Sequence, residues 1–308
     1  MKVVVTGASG LLGRAVFSKV SSTANHQVQG WAFSRATNGL VKVDVRDRAS
    51  MEGALKEFKA DVVIHCAAER RPDVAEKDPT GTQSLNVEVT ENLTELSNQL
   101  GFKLIYICTD YVFDGNAPPD GYDVDATPNP TNFYGKTKLE GEKKLIELGR
   151  PGKVVSLRVP VLYGRTEKND ESAINVLLDG VMRASEGQKV KMDDWALRFP
   201  TLVDDIAAVI LQIIELDRPL PKILHFSSTQ QYTKYSISLT FSRILNLSQT
   251  SISNLVRVYD PPKSDESTVR PKNCRLSNRS IEELGIDTSK TVSFEDWWKD
   301  HLKDFLLK

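Results

Sequence analysis

Residues 6–13 read Thr-Gly-Ala-Ser-Gly-Leu-Leu-Gly and join a β-branched run at 2–6 to an amphipathic stretch at 11–20, which predicts a strand, a tight turn and a helix at one place. Gly7 suits the turn, Gly10 lets backbone approach a ligand, and Gly13 allows close packing of the helix on the strand. A helix N-terminus with free N–H groups and a partial positive charge fits a pyrophosphate. The glycines are spaced three and three, whereas the common dinucleotide fingerprint has two and three. Gly7, Ser9, Gly10, Leu11, Leu12 and Gly13 are the first candidate cofactor contacts.

The same strand-helix alternation continues. Apolar runs at 28–33, 41–45, 61–66, 103–108 and 154–159 are separated by helical patterns at 50–58, 85–100 and around Tyr134. This grammar predicts an α/β protein with a Rossmann-type doubly wound parallel sheet, covered on both faces, and a smaller C-terminal substrate-binding lobe. Beyond Gly164 the pattern loosens into a helix at 173–184, polar chain to Pro200, a helix at 203–216, a strand at 223–226 and a helix at 235–245. The expected division is a dinucleotide domain at 1–164, rejoined by 202–228, with 165–201 and 229–308 forming the smaller substrate or partner lobe. Residues 114–132, with Pro118, Pro119, Pro128 and Pro130, are too long for a routine connection and precede the Tyr134 helix; such loops are often functional.

Composition narrows the function classes. Forty basic against 41 acidic residues leave a formal charge of −1, which gives no electrostatic footprint for nucleic acid or an anionic membrane. No apolar run approaches the roughly 18 residues of a membrane span, and a strand starting at Lys2 leaves no room for a signal peptide. Cys66, Cys108 and Cys274 are odd in number and lack Cys-x-x-Cys spacing, so reduced thiols are expected, with neither a disulfide framework nor a metal site. The expectation is a soluble protein of the cytoplasm, the nucleus remaining open.

Tyr134 and Lys138 are spaced to share one helix face. A free phenol ionises near pH ~10, and a cation beside it favours the phenolate, so the pair can serve as an acid for carbonyl reduction. Spacing alone proves little: Tyr259 and Lys263 repeat it with Pro261 and Pro262 between them. Thr109 ends the fifth strand, on the side where a doubly wound sheet faces its ligand crevice, and can donate to a substrate carbonyl. Lys138 is expected both to lower the Tyr134 phenol and to hold the nicotinamide ribose. Cys66, Ala67 and Ala68 end the fourth strand with small side chains, as close approach of a cofactor or compact packing requires; Pro160, after the sixth strand, joins the cofactor set.

The second strand runs into Ser34 and Arg35 with no carboxylate for free ribose hydroxyls. Arg35, assisted by Arg14, pairs with a 2′-phosphate in the cofactor reading, which favours NADP over NAD; otherwise both are solvated surface arginines. Asp44 and Val45 end the third strand, Asp44 either accepting from the adenine amino group or lying as an exposed turn carboxylate. Arg70 and Arg71 form a phosphate clamp, a polar protein interface or a solvated turn. Trp195 and Arg198 are weaker candidates for a substrate pocket. Trp297, Trp298, Leu302, Phe305 and Leu306 make an apolar stripe that either packs on its own lobe or docks into a partner.

Together the glycine triplet, Thr109 and the Tyr134–Lys138 pair resemble the extended short-chain dehydrogenase/reductase family across nearly the whole chain. Thr-Asp-Tyr-Val-Phe-Asp-Gly at 109–115 and Tyr-Gly-Lys-Thr-Lys at 134–138 are similar to the dTDP-4-dehydrorhamnose reductases. That resemblance implies reduction of a nucleotide-linked 4-keto sugar with NADPH by Thr109, Tyr134 and Lys138. Closer is the subfamily of methionine adenosyltransferase regulatory beta subunits, on His-Cys-Ala-Ala-Glu-Arg-Arg-Pro-Asp-Val at 65–74, Leu-Tyr-Gly at 162–164, Glu-Ser-Ala at 171–173, Met-Asp-x-Trp-x-x-Arg-Phe-Pro-Thr at 192–201 and Arg270-Pro271. It implies an NADP-binding protein that attaches to the catalytic subunit making S-adenosylmethionine, a regulator on a reductase frame. Whether the chain is an enzyme stays open; if the site turns over, it is an NADP-dependent oxidoreductase.

Overall fold

The computed structural model describes residues 1–37, 39–261 and 268–303. Strand β1 (Lys2–Thr6) leads into helix α1 (Leu11–Ser21), then β2 (Gln27–Ala32), β3 (Val41–Lys42), α2 (Arg48–Phe58) and β4 (Val62–His65). Two short helices with proline in their first turns, α3 (Pro72–Lys77) and α4 (Pro79–Gln83), pass through a π-helical turn (Ser84–Glu88) into α5 (Val89–Leu100). Next come β5 (Lys103–Thr109), α6 (Phe133–Leu148), β6 (Val154–Val159), β7 (Leu162–Tyr163), α7 (Val176–Ser185), β8 (Val190–Asp193) and β9 (Thr201–Leu202). The chain closes with α8 (Val203–Glu215), β10 (Ile223–His225), α9 (Lys234–Ile244), α10 (Gln249–Ser253), β11 (Leu255–Val258), α11 (Arg279–Glu283) and α12 (Phe294–His301).

Seven strands form one parallel sheet in the order β10-β6-β5-β4-β1-β2-β3. Alternate side chains of each strand serve opposite faces. Val3 and Val5 pack with Val16 of α1 and Ile206 and Ile210 of α8, whereas Val4 joins Leu55, Leu93 and Leu145 from α2, α5 and α6. Burial on both faces explains why these strands are continuous apolar runs. The order reverses direction between β1 and β4, so a crevice opens beyond their carboxyl ends, where Gly7 and Ala67 lie.

Several boundaries differ from expectation for local reasons. The third strand stops at Lys42, because the Asp44 carboxylate accepts from the Arg46 amide (3.0 Å) and turns the chain; Asp44 and Val45 therefore lie in a loop. Helix α2 starts at Arg48 because Asp47 caps it, accepting from the amides of Ala49 and Ser50. The polar stretch before Pro200 contains β8, which pairs in parallel with β11. Residues 114–132 are pinned by bridges from Asn116 to Asn273 and from Tyr122 to Leu276, with the Tyr122 ring stacked on Phe113 at 4.0 Å. Trp298 and Leu302 are buried with Tyr163 and Phe241, so that part of the C-terminal stripe covers the chain's own apolar cluster. Trp297 is half-buried, 4.5 Å from the His301 ring, while Phe305, Leu306 and Lys263 lie outside the described residues. Among the described residues, no helix is long and apolar enough to cross a membrane.

Candidate active site

The glycine loop is built by close backbone contact. Gly7 has φ +64°, and a Cβ there would lie 2.8 Å from the Ala67 backbone; a Cβ on Gly13 would fall 2.2 Å from the Gly7 carbonyl oxygen. Gly10 is the N-cap of α1 and supplies no side-chain acceptor, and the first turn holds no acidic residue. Its orphan amides and partial positive charge are therefore left for an anion, while Leu11 and Leu12 are buried behind them. A dinucleotide pyrophosphate fits this cradle. Cys66, Ala67 and Ala68 continue from β4 along the crevice and are half-buried, Ala67 donating its amide to Thr6 Oγ1 (3.3 Å); Pro160 is buried just after β6.

Arg14 and Arg35 both donate to the Ser9 carbonyl, at 2.7 and 2.9 Å. Neither is a free surface arginine. Glu171 Oε2 lies 2.5 Å from Arg14 Nη2, its Oε1 2.7 Å from Arg35 Nη1, and Glu167 adds a contact to Arg35 at 3.3 Å. Although burial opposes ionisation, Arg14 and Arg35 hold the Glu171 carboxyl down at about 2. Ser34 is exposed in the turn before Arg35, Val45 is buried, and Asp44 is ion-paired with Arg46 at 3.2 Å. Against the opposing effect of burial, bonds from the Arg46 amide and guanidinium hold the Asp44 carboxyl below its ordinary value.

At the other end of the crevice, α6 is set by its first turn. Asn132 caps it, accepting from the Gly135 amide at 2.9 Å, and Glu76 accepts from the Phe133 amide at 2.9 Å. A Cβ on Gly135 would lie 2.2 Å from the Tyr111 carbonyl oxygen, so a glycine between Tyr134 and Lys136 brings the helix against the end of β5. Thr109 Oγ1 accepts from the Tyr111 amide (3.2 Å) and donates to Asp110 Oδ1 (3.1 Å). Burial pushes the Tyr134 phenol upward, and a hydrogen bond with Thr109 pulls the other way. Lys138 is 3% exposed, with Nζ 4.0 Å from the Tyr106 ring centroid. The expected lowering of Tyr134 by Lys138 is thus corrected: burial prevails and the phenol is raised, while the Lys138 ammonium faces the Tyr106 ring.

Burial pushes the Lys138 ammonium down from 10.5 to about 8. Between those two values the unfolded chain holds the proton that the folded chain has lost, so this group raises stability as pH rises and costs most below pH 8. Lys138→Met is expected to stabilise the unliganded protein at pH 7 by roughly 2–3 kcal/mol. The gain should shrink as pH climbs from about 8 toward 10.5, read from paired melting curves of the two proteins. A variant no more stable than wild type at pH 7 would contradict the assignment.

The peripheral candidates divide. Arg71 is committed to Glu69 (2.8 Å), whereas Arg70 stays exposed beside it. Arg198 is 8% exposed and donates to the carbonyls of Leu197 (2.8 Å) and Pro271 (3.2 Å), a tie between backbone segments. Trp195 is half-buried, with Lys272 Nζ 5.9 Å from its ring centroid. Three neighbours of the site escape a reading by motif. Asp110 is buried beside Thr109, and burial pushes its carboxyl up to about 7 while Arg198 opposes. Glu171 was legible only as part of a resemblance. Glu142 is buried under α6 with Arg158, and the signal for it was a charge inside the apolar run of β6, which demands a partner.

A parallel sheet with a glycine turn at its first strand-helix junction, and a Thr, Tyr and Lys at its carboxyl edge, defines a Rossmann-type protein of the short-chain dehydrogenase/reductase class. The chain belongs to the RmlD substrate binding domain family, which it matches over residues 1–307. It is 41% identical over 288 residues to methionine adenosyltransferase 2 subunit beta of Xenopus tropicalis, covering 92% of this chain and 83% of that relative. It is 31% identical over 229 residues to a dTDP-4-dehydrorhamnose reductase of Mycolicibacterium smegmatis, covering 73% and 63%. A solved dTDP-4-dehydrorhamnose reductase of Bacillus anthracis, in complex with NADP, superposes with a TM-score of 0.79 at 24% identity over 98% of each chain, a likeness of fold.

Proposed function

We propose that this chain is an NADP-binding regulatory beta subunit of methionine adenosyltransferase, acting in S-adenosylmethionine biosynthesis. The observation that carries this reading is the 41% identity to a beta subunit over 92% of the chain, against 31% over 73% for a reductase. NADP rather than NAD is supported by the end of β2, which offers Arg35 and no carboxylate, and by Arg14 beside the same Ser9 carbonyl. Gly7 to Gly13 would hold the pyrophosphate, Arg14 and Arg35 the 2′-phosphate, and Ala67, Ala68 and Lys138 the nicotinamide half. When bound, NADPH supplies a hydride. The chain's own contribution is then to exclude water and to hold a proton at Tyr134, near the Thr109 hydroxyl.

A second reading is an NADPH-dependent reductase of a nucleotide-linked 4-keto sugar, favoured by the complete set of Thr109, Tyr134 and Lys138. Here Tyr134 gives its proton to the carbonyl oxygen that Thr109 orients. Affinity capture with the purified chain separates the two. The regulatory reading expects recovery of the methionine adenosyltransferase catalytic subunit from native extract. Recovery of none, together with NADPH oxidation by dTDP-4-dehydrorhamnose that Tyr134→Phe abolishes, would transfer the assignment to the reductase.

A further inference from the structure

The strap between β7 and α7 crosses onto the glycine loop. Its ends are anchored: Asn175 Nδ2 donates to the Gly164 carbonyl at 2.9 Å, and Ser172 Oγ to the Leu162 carbonyl at 2.7 Å. Between these ties the strap presents Glu167 and Glu171 to the two arginines. Glu171 is the desolvated member, its side chain 12% exposed against 64% for Glu167. Both Glu171 oxygens accept from Arg14, Oε2 at 2.5 Å and Oε1 at 3.3 Å, Oε1 also accepts from Arg35 at 2.7 Å, and the Ser9 carbonyl accepts from both arginines as well.

Charge decides what this arrangement does. Two guanidiniums facing two carboxylates are neutral as a group, and a 2′-phosphate brings close to two further negative charges. Added to a neutralised cluster, such a phosphate gains little attraction and meets repulsion from the carboxylates. Carboxylate and phosphate also compete for the same planar fork of N–H donors.

We infer that Glu171 is an anionic latch: it occupies the seat between Arg14 and Arg35, and the 2′-phosphate of NADP expels it and releases the strap at residues 165–171. This rests on the NADP reading above. NAD lacks that phosphate and leaves the latch closed, so the strap's position distinguishes the two dinucleotides. The Glu171 carboxyl is held at about 2, so protonation at neutral pH does not open it.

The test is calorimetric titration of wild type and Glu171→Gln with NADP and NAD. The latch expects wild type to prefer NADP, and the variant to bind NADP about tenfold tighter, with NAD affinity changed less than about twofold. Weaker or unchanged NADP binding by the variant, or an equal gain for both dinucleotides, overturns the latch alone. Wild type that binds NAD as tightly as NADP, or binds neither, overturns the cofactor reading and the latch with it. Hydrogen exchange on wild type guards against a misfolded variant: the Glu167 amide donates to Glu171 Oε2 at 3.3 Å. NADP should speed its exchange and NAD should not; equal protection with both overturns the latch.

Discussion

Glu142→Ala is expected to destabilise the protein by about 3–5 kcal/mol, since it leaves a buried guanidinium without its counter-charge. Glu142 and Arg158 have side chains only 2% exposed, and Arg158 Nε and Nη2 reach the two carboxylate oxygens at 2.9 and 2.5 Å. Ser156 Oγ donates to the same carboxylate at 2.6 Å. His225 completes the network: its Nδ1 faces the Tyr122 carbonyl at 3.1 Å, an acceptor, which leaves Nε2 to accept from Arg158 Nη1 at 3.2 Å. Burial, followed by the Arg158 charge, holds this imidazole neutral and down at about 3. Glu142→Gln should cost less, because it keeps the shape while losing the charge. The double change Glu142→Leu with Arg158→Met should recover most of the loss, since well-packed apolar side chains often replace a buried pair without penalty. Urea midpoints of the four proteins are the readout, and a Glu142→Ala midpoint within error of wild type would contradict the network.

Gly13→Ala is expected to abolish dinucleotide binding, with affinity for NADP falling at least about a hundredfold, or roughly 3 kcal/mol. The added Cβ would sit 2.2 Å from the Gly7 oxygen, 2.7 Å from the Gly7 carbonyl carbon and 2.9 Å from Ala8 Cα, all of them backbone atoms. Backbone cannot swing aside as the end of a side chain can, so α1 must move off β1 and carry the cradle with it. Gly53 in α2 is the control, because a Cβ there meets nothing within 4 Å. Gly53→Ala should raise stability by about 0.5–1 kcal/mol and leave binding unchanged. Titration of NADPH fluorescence reads both. Normal affinity in Gly13→Ala would remove the glycine loop from the cofactor site.

Local chemistry made much of this fold legible. The strand at Val154–Val159 was predicted at both ends, because residues buried on both faces form an unbroken run with Pro160 after it. The glycine turn is equally local, since residue type alone decides whether a backbone can adopt it. Contacts between distant segments were not legible. Glu171 and Arg35 are separated by 136 positions, and no pattern near either one announces the other. Lys138 shows a subtler limit: helical spacing put it on the face of Tyr134, but its ammonium turned onto Tyr106, because that ring is the π surface available once the side chain is buried. The long proline-rich stretch at 114–132 was legible as too long for a routine connection, but its pairing with residues 273 and 276 depends on the return of the C-terminal chain.

The reductase-like set and the regulatory reading are compatible because chemistry built on a frame need not be the frame's present use. A site that held NADP, with a latch sensing its 2′-phosphate, would inform a partner without turning over a ketone. The most direct measurement is to mix the purified, NADP-saturated chain with purified methionine adenosyltransferase catalytic subunit, then follow size-exclusion elution and the kinetics of S-adenosylmethionine formation. A regulatory beta subunit should co-elute with the catalytic subunit and change its KM or kcat. Separate elution of the two proteins, with kinetics identical in the presence and absence of this chain, would contradict the account.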